Sequence, residues 1–199
     1  YAGWFETPTP DLQENCFCTA CIADFCNACC IDADTPEQIL SQYQHNWTEH
    51  KTDRIARFAK HYSALVRSLR PETTIGAYMC PWTPEEFDGA LTRIFAQDYK
   101  KLSPHIDIFT PLIYVKKSGR TARWGKDFLN VAHTFIPTKN KVSLILDALD
   151  YQENLIETSK ASSPSWGLQI FAGEKLFSSE DKILLMKKCI AQTKAALST

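Results

Sequence analysis

An α/β fold of repeated strand–helix units, of the (β/α)8 TIM-barrel type, is what the sequence predicts, and three observations carry that expectation. Four short apolar runs (74–80, 107–115, 142–149 and 166–171) alternate with stretches patterned at the helical period. The runs are continuously apolar, as parallel strands covered on both faces are. No Gly-x-Gly-x-x-Gly turn or phosphate-binding loop follows any run, which argues against a nucleotide-binding doubly wound sheet and leaves the barrel. A whole barrel takes about 250 residues. With 199 residues, a first residue Tyr1 and four clear units, the chain reads as the C-terminal part of one: a single partial domain over 1–199, strands 4/5 to 8.

The elements follow in order. Residues 11–34 form a Cys-rich loop, an insertion between strand 4 and its helix, in which Phe17, Ile22, Phe25 and Ile31 suit a short helix over 19–29. Thr35-Pro36-Glu37-Gln38 is a helix start, with Thr as N-cap, Pro at the first helical position and Gln three residues after the cap. Ile39, Tyr43 and Trp47, then Ile55, Phe58, Ala59, Tyr62, Leu65, Val66 and Leu69, trace a long amphipathic helix, or two broken near His50, ending before Pro71. Thr83-Pro84-Glu85-Glu86 repeats the start signal for a helix striped by Phe87, Ala90, Leu91, Ile94 and Phe95. Further helices are expected over 124–135, 153–161 and 178–197.

Composition excludes several classes. Twenty-two basic against 23 acidic side chains give a net charge of −1, without the basic excess of a nucleic-acid binder. No apolar run approaches the roughly 18 residues of a membrane span, and no signal segment is present, so a cytoplasmic protein is expected.

Of eight cysteines, six fall between Cys16 and Cys30. Zinc takes four thiolate or imidazole ligands, and the Cys16-x-Cys18-x2-Cys21 spacing presents three from one turn. Cys26 is the nearest candidate for the fourth, Cys29 or Cys30 would need a longer fold-back, and chain upstream of Tyr1 is a further source. Free or partly oxidised thiols are the competing reading, and a disulfide framework a third, disfavoured because neighbours this close strain bridge geometry.

Trp4-Phe-Glu-Thr-Pro, Cys16-Phe-Cys-Thr-Ala-Cys21, Pro81-Trp-Thr-Pro-Glu-Glu-Phe-Asp-Gly-Ala90, Gln97-Asp98 and Phe109-Thr-Pro-Leu-Ile-Tyr114 resemble glycoside-hydrolase-like TIM-barrel proteins. The cysteine element is similar to the zinc cluster of family 42 β-galactosidases. The resemblance runs to about Tyr114 and is looser beyond. It implies two-carboxylate hydrolysis of a glycosidic bond, with the acid/base at Glu6 and the nucleophile at Asp147 or Asp150. It also implies a carbohydrate substrate held by Trp4, Tyr78, Trp82, Tyr114, Lys116 and Gln169, and a structural zinc on Cys16, Cys18 and Cys21 with a fourth Cys from earlier in the barrel, the place that the reading of the residues gives to Cys26. Either a missing N-terminal half or a homo-oligomer would complete the barrel.

Each site residue also has a plainer role. Glu6 suits a solvated loop carboxylate, Asp147 a buried hydrogen-bonded one, and Asp150 a helix N-cap. The aromatics, Trp124 included, suit core or rim packing, and Lys116, Lys117, Arg120 and Arg123 a solvated basic face, with a grip on an acidic sugar or phosphate as the alternative. The five histidines are scattered and read as surface or helix-face residues. The family pattern has Glu at both catalytic stations, whereas strand 7 here offers only Asp. That departure keeps open a non-catalytic carbohydrate-binding or metal-stabilised scaffold barrel, and an interaction module centred on Cys16 to Cys30.

Overall fold

A computed structural model describes residues 12–148, 151–158, 161–163, 165–171, 174 and 177–197. In chain order the elements are α1 (Thr19–Cys29), α2 (Pro36–Gln42), α3 (Gln44–Leu69), β1 (Gly76–Met79), α4 (Ala90–Arg93), α5 (Tyr99–Leu102), β2 (Ile108–Ile113), α6 (Val115–Ser118), α7 (Trp124–Ala132), β3 (Lys141–Asp147), α8 (Tyr151–Thr158), β4 (Gly167–Phe171) and α9 (Glu180–Leu197). They fall into two compact units, one holding α1 to α5 except β1, the other holding β1 and everything from β2 onward.

In the helical unit, α1 ends where Cys30 turns left-handed (φ 54°). Thr35 caps α2 as expected, its hydroxyl accepting from the Gln38 amide at 3.2 Å, and Pro36 takes the first helical position. The break before the long helix lies at Tyr43, not near His50, which sits well inside the 26-residue α3. Phe25, Ile39 and Trp47, all fully buried, form the local core with Phe17, Ile22 and Tyr43 packed around them. Burying a side chain of this size contributes about 1.5–3 kcal/mol.

The helix expected from Thr83 does not form. Glu86 caps the Thr83 amide at 2.6 Å, but Phe87, Asp88 and Gly89 then take three consecutive positive φ values, leaving only α4 and α5. Asp-Gly is a turn pair, and no right-handed helix passes through a left-handed run.

The second unit is a four-stranded parallel sheet in the order β1-β2-β3-β4, open at both ends among the described residues. Its register separates two faces. Ala77, Phe109, Val142 and their i+2 neighbours Met79, Pro111, Ile113, Leu144 and Leu146 make one face wholly apolar. α7 covers it: a Cβ on Gly125 would meet Leu144 Cδ1 at 3.3 Å and Ile113 Cγ2 at 3.5 Å. The opposite face aligns Tyr78 with Thr110, Ser143 with Gly167, Ile145 with Gln169, and Asp147 with Phe171. Apolar members such as Leu112 and Ile145 hide this alternation in the sequence, so the expectation of two equally apolar faces gives way to one apolar and one mixed.

Across that mixed face the Tyr78 hydroxyl donates to Gln169 Oε1 at 3.2 Å, from β1 to β4. Three strand spacings span about 14 Å in a flat sheet, and strand side chains stand roughly perpendicular to it. The sheet therefore curls, with the mixed face concave.

Candidate functional site

The C-terminal ends of the strands gather the chemistry of the second unit. Asp147 closes β3, its side chain only 4% exposed, and its Oδ2 lies 2.8 Å from Lys117 Nζ. Lys117 reaches it from α6, the short turn that follows β2 directly. On the way its ammonium lies 4.9 Å from the Tyr114 ring centroid and 5.0 Å from that of Phe171. Those two rings are tilted together at 5.3 Å. One cation thus meets a carboxylate and two ring faces, each an attractive pairing. Burial, then the charge of Asp147 and the neighbouring Tyr78, push the Tyr114 phenol up to about 12. It stays protonated at neutral pH and is a hydrogen-bond donor.

The sequence-predicted residues divide around this cluster. Tyr78, Tyr114, Asp147 and Gln169 share the concave face. Trp82 does not offer its ring: it is fully buried between Phe87 and Phe95 at 4.5 and 5.6 Å, a core residue of the helical unit. Trp124 is likewise buried, with Arg120 over its ring at 4.5 Å. Lys116 is exposed on α6, next to the lysine that makes the ion pair. Trp4, Glu6 and Asp150 lie outside the described residues.

Phe171 is the member of this cluster that the sequence reading missed, and Lys117 was read only within the basic loop 116–123, not beside Asp147. A signal for Phe171 existed: it lies two residues beyond Gln169 and so on the same face. For Lys117 the basic run was a signal, but its pairing with Asp147 was not legible, since a four-residue helix directly after a strand is not written in periodicity.

The helical unit holds the candidate metal centre. The Sγ atoms of Cys16, Cys18 and Cys21 all lie within 4.8 Å of one another and could hold a metal ion. Three anchors bring them together. Glu14, its side chain 2% exposed, accepts from Lys51 (3.1 Å), Arg93 (3.3 Å) and Gln44 (3.1 Å). Phe17 stacks on Trp47 at 5.1 Å, and Cys18 stands at the N-cap of α1. Hydrogen bonds from the Cys21 amide and from the Cys21 and Cys16 thiols pull Cys18 down to about 7. Donating to Cys18, together with burial, pushes Cys21 up to about 11.

Cys26 is not a member of this group. Its thiol donates to the Ala33 carbonyl at 3.0 Å, so the expected fourth ligand stands apart from the three close sulfurs here. It lies in the second turn of α1, away from the N-terminal end where the three thiols converge.

His50 also departs from expectation. It is 7% exposed rather than a surface residue, its Nε2 is 3.0 Å from Asp24, and its ring lies against Trp47 and Phe25. Lys101 is held by Glu49 (2.8 Å), Asp53 (2.7 Å) and Thr52 (2.8 Å). Burial pulls its ammonium down, and the two carboxylates outweigh that and raise it. These pairs knit α3 to α1 and α5.

No family model matches the chain, and neither a curated protein nor a solved structure shows significant similarity to it. Among the described residues, no helix is long and apolar enough to cross a membrane.

Proposed function

We propose that the concave strand-end face binds a carbohydrate, and that the chain is a glycoside-hydrolase-like segment of a (β/α)8 barrel. One observation carries the reading: a buried, ion-paired Asp147 at the C-terminal end of a parallel strand, beside the rings of Tyr114 and Phe171. Barrel enzymes hold their chemistry at that end of the strands, and aromatic faces with adjacent polar groups suit sugars. The curl of the sheet and the unreversed strand order support the barrel. In two-carboxylate hydrolysis an ion-paired carboxylate is an acceptor, so Asp147 is assigned the nucleophile or base. Glu6 is the proton donor, with Asp150 as the other candidate carboxylate. Tyr78, Tyr114 and Gln169 supply hydrogen bonds to hydroxyl groups.

The test is a panel of aryl glycosides with the full chain. Turnover lost in Asp147→Asn and Glu6→Gln supports the enzyme. Turnover retained in both removes these carboxylates from it. A second reading, a carbohydrate binder without turnover, is favoured by Lys117, which already occupies the carboxylate that closes β3. Calorimetric binding of a sugar by a chain that cleaves nothing selects it.

The cysteine group is assigned a structural zinc. Zinc–sulfur bonds of about 2.3 Å in a tetrahedron need sulfurs roughly 3.8 Å apart, a modest contraction of the present group. Elemental analysis should return about one zinc per chain. None, or an unchanged content in Cys18→Ser/Cys21→Ser, would dismiss the assignment.

A further inference from the structure

Cys18 and Cys21 bracket the first turn of α1. Cys18 is the N-cap and Cys21 the third helical residue. An N-cap side chain turns back over that third position, which is how a Ser or Asp there reaches its amide. The two sulfurs, with that of Cys16, lie within 4.8 Å of one another, and the Cys21 thiol donates to Cys18. Cys18 is exposed and Cys21 half-buried, so a reagent in solution meets Cys18 first.

The other thiols are placed differently. Cys16 is exposed but precedes the helix, and a single residue separates it from Cys18, a separation that strains bridge geometry. Cys26 donates to the Ala33 carbonyl, and Cys80 is buried. Cys29 and Cys30 close α1 at its far end, with Cys30 exposed.

We propose that Cys18 and Cys21 are a dithiol centre that exchanges with small disulfides, Cys18 attacking and Cys21 resolving. The Cys18 sulfur gives its proton to solvent, bonds to one sulfur of the reagent and expels the other as a thiolate. Cys21 then loses its proton, bonds to the Cys18 sulfur and expels the second thiolate. The cysteines are oxidised by two electrons, and the reagent is reduced to two thiols. Sulfurs held side by side make the second step intramolecular, which favours this pair over scattered oxidation. The inference goes beyond the zinc reading, because it needs the thiols and not the metal.

The test treats the full chain, cleared of metal by a chelator, with hydroxyethyl disulfide, an uncharged reagent. Differential alkylation and mass spectrometry then map the thiols. A Cys18–Cys21 disulfide should form about tenfold faster than Cys30 is modified, and dithiothreitol should restore both thiols. Cys21→Ser should stop at a mixed disulfide on Cys18, Cys18→Ser should lose the fast reaction, and Cys30→Ser should retain it. Unchanged circular dichroism in the three variants confirms the helix. A disulfide joining Cys16 to either neighbour, a mixed disulfide that persists on wild-type Cys18, or equal rates at Cys18 and Cys30 would overturn the proposal. Zinc content measured before chelation separates the two readings. A zinc-free chain that forms the disulfide ends the zinc reading alone, and a zinc-bearing chain that fails to form it after chelation ends this one alone.

Discussion

Tyr114 keeps its proton further into alkali than a free tyrosine, and this has a measurable sign. Its folded-state value of about 12 lies above the ordinary 10, so its contribution to stability is complete below pH ~10 and is lost as pH rises through ~12. Ultraviolet titration of the folded protein should show one late-ionising phenol, and Tyr114→Phe should remove it. Asp147→Asn should cost about 1 kcal/mol in urea denaturation, a surface-like figure because Lys117 is 38% exposed. His50 titrates in the opposite sense. Burial lowers its value, with Arg54 and Arg57 adding to that and Asp24 opposing. The helical unit should therefore lose stability as pH falls below ~6.5. His50→Gln should flatten that slope in thermal melts. At this scale the sequence was a partial guide. Tyr78, Tyr114, Asp147 and Gln169 were legible from their strand-end positions, whereas the fate of Trp82 depended on a left-handed turn that brings Phe87 and Phe95 around it.

Elements are set by close approaches that composition does not reveal. Gly125 lets α7 settle on the sheet, since a Cβ there would stand 2.9 Å from Thr158 Oγ1 and 3.3 Å from Leu144. Gly125→Ala should cost about 1–3 kcal/mol of strain, outweighing the gain of ~1 kcal/mol in helix propensity. Chemical denaturation would read the sign. Strands and long helices were readable because their patterns run over many residues: α1, α2, α3, α7 and α9 all lie within a few residues of expectation. Segment 83–102 was not, because its helical stripe is interrupted at Asp88-Gly89, a two-residue signal inside a thirteen-residue pattern. The metal group was legible in the same uneven way. Three close thiols follow from spacing alone, while the hydrogen bond of Cys26 to a carbonyl seven residues on does not.

For the molecule as a whole, a parallel sheet whose strands follow one another without reversal places its most protected amides in the middle. Among the described residues, β2 and β3 have partners on both sides, and β1 and β4 on one. Hydrogen exchange should be slowest in β2 and β3, and β1 and β4 should open first. Equal protection in all four strands would mean that further pairing covers the edges. Alternation of strand and helix was visible in the sequence because hydrophobic periodicity is local. Convergence of Tyr78 with Gln169 was not, since it depends on a curvature spread over four strands.

Lys117 has one more use. Its amine joins Tyr114, Asp147 and Phe171, yet more than a third of its side chain remains open to solvent. It is a built-in reporter: the rate at which an amine-reactive reagent labels it measures how much of the strand-end face is occupied. A compound seated against the two rings would shield that nitrogen, so peptide mapping of a labelled library screen would rank ligands before any reaction is known.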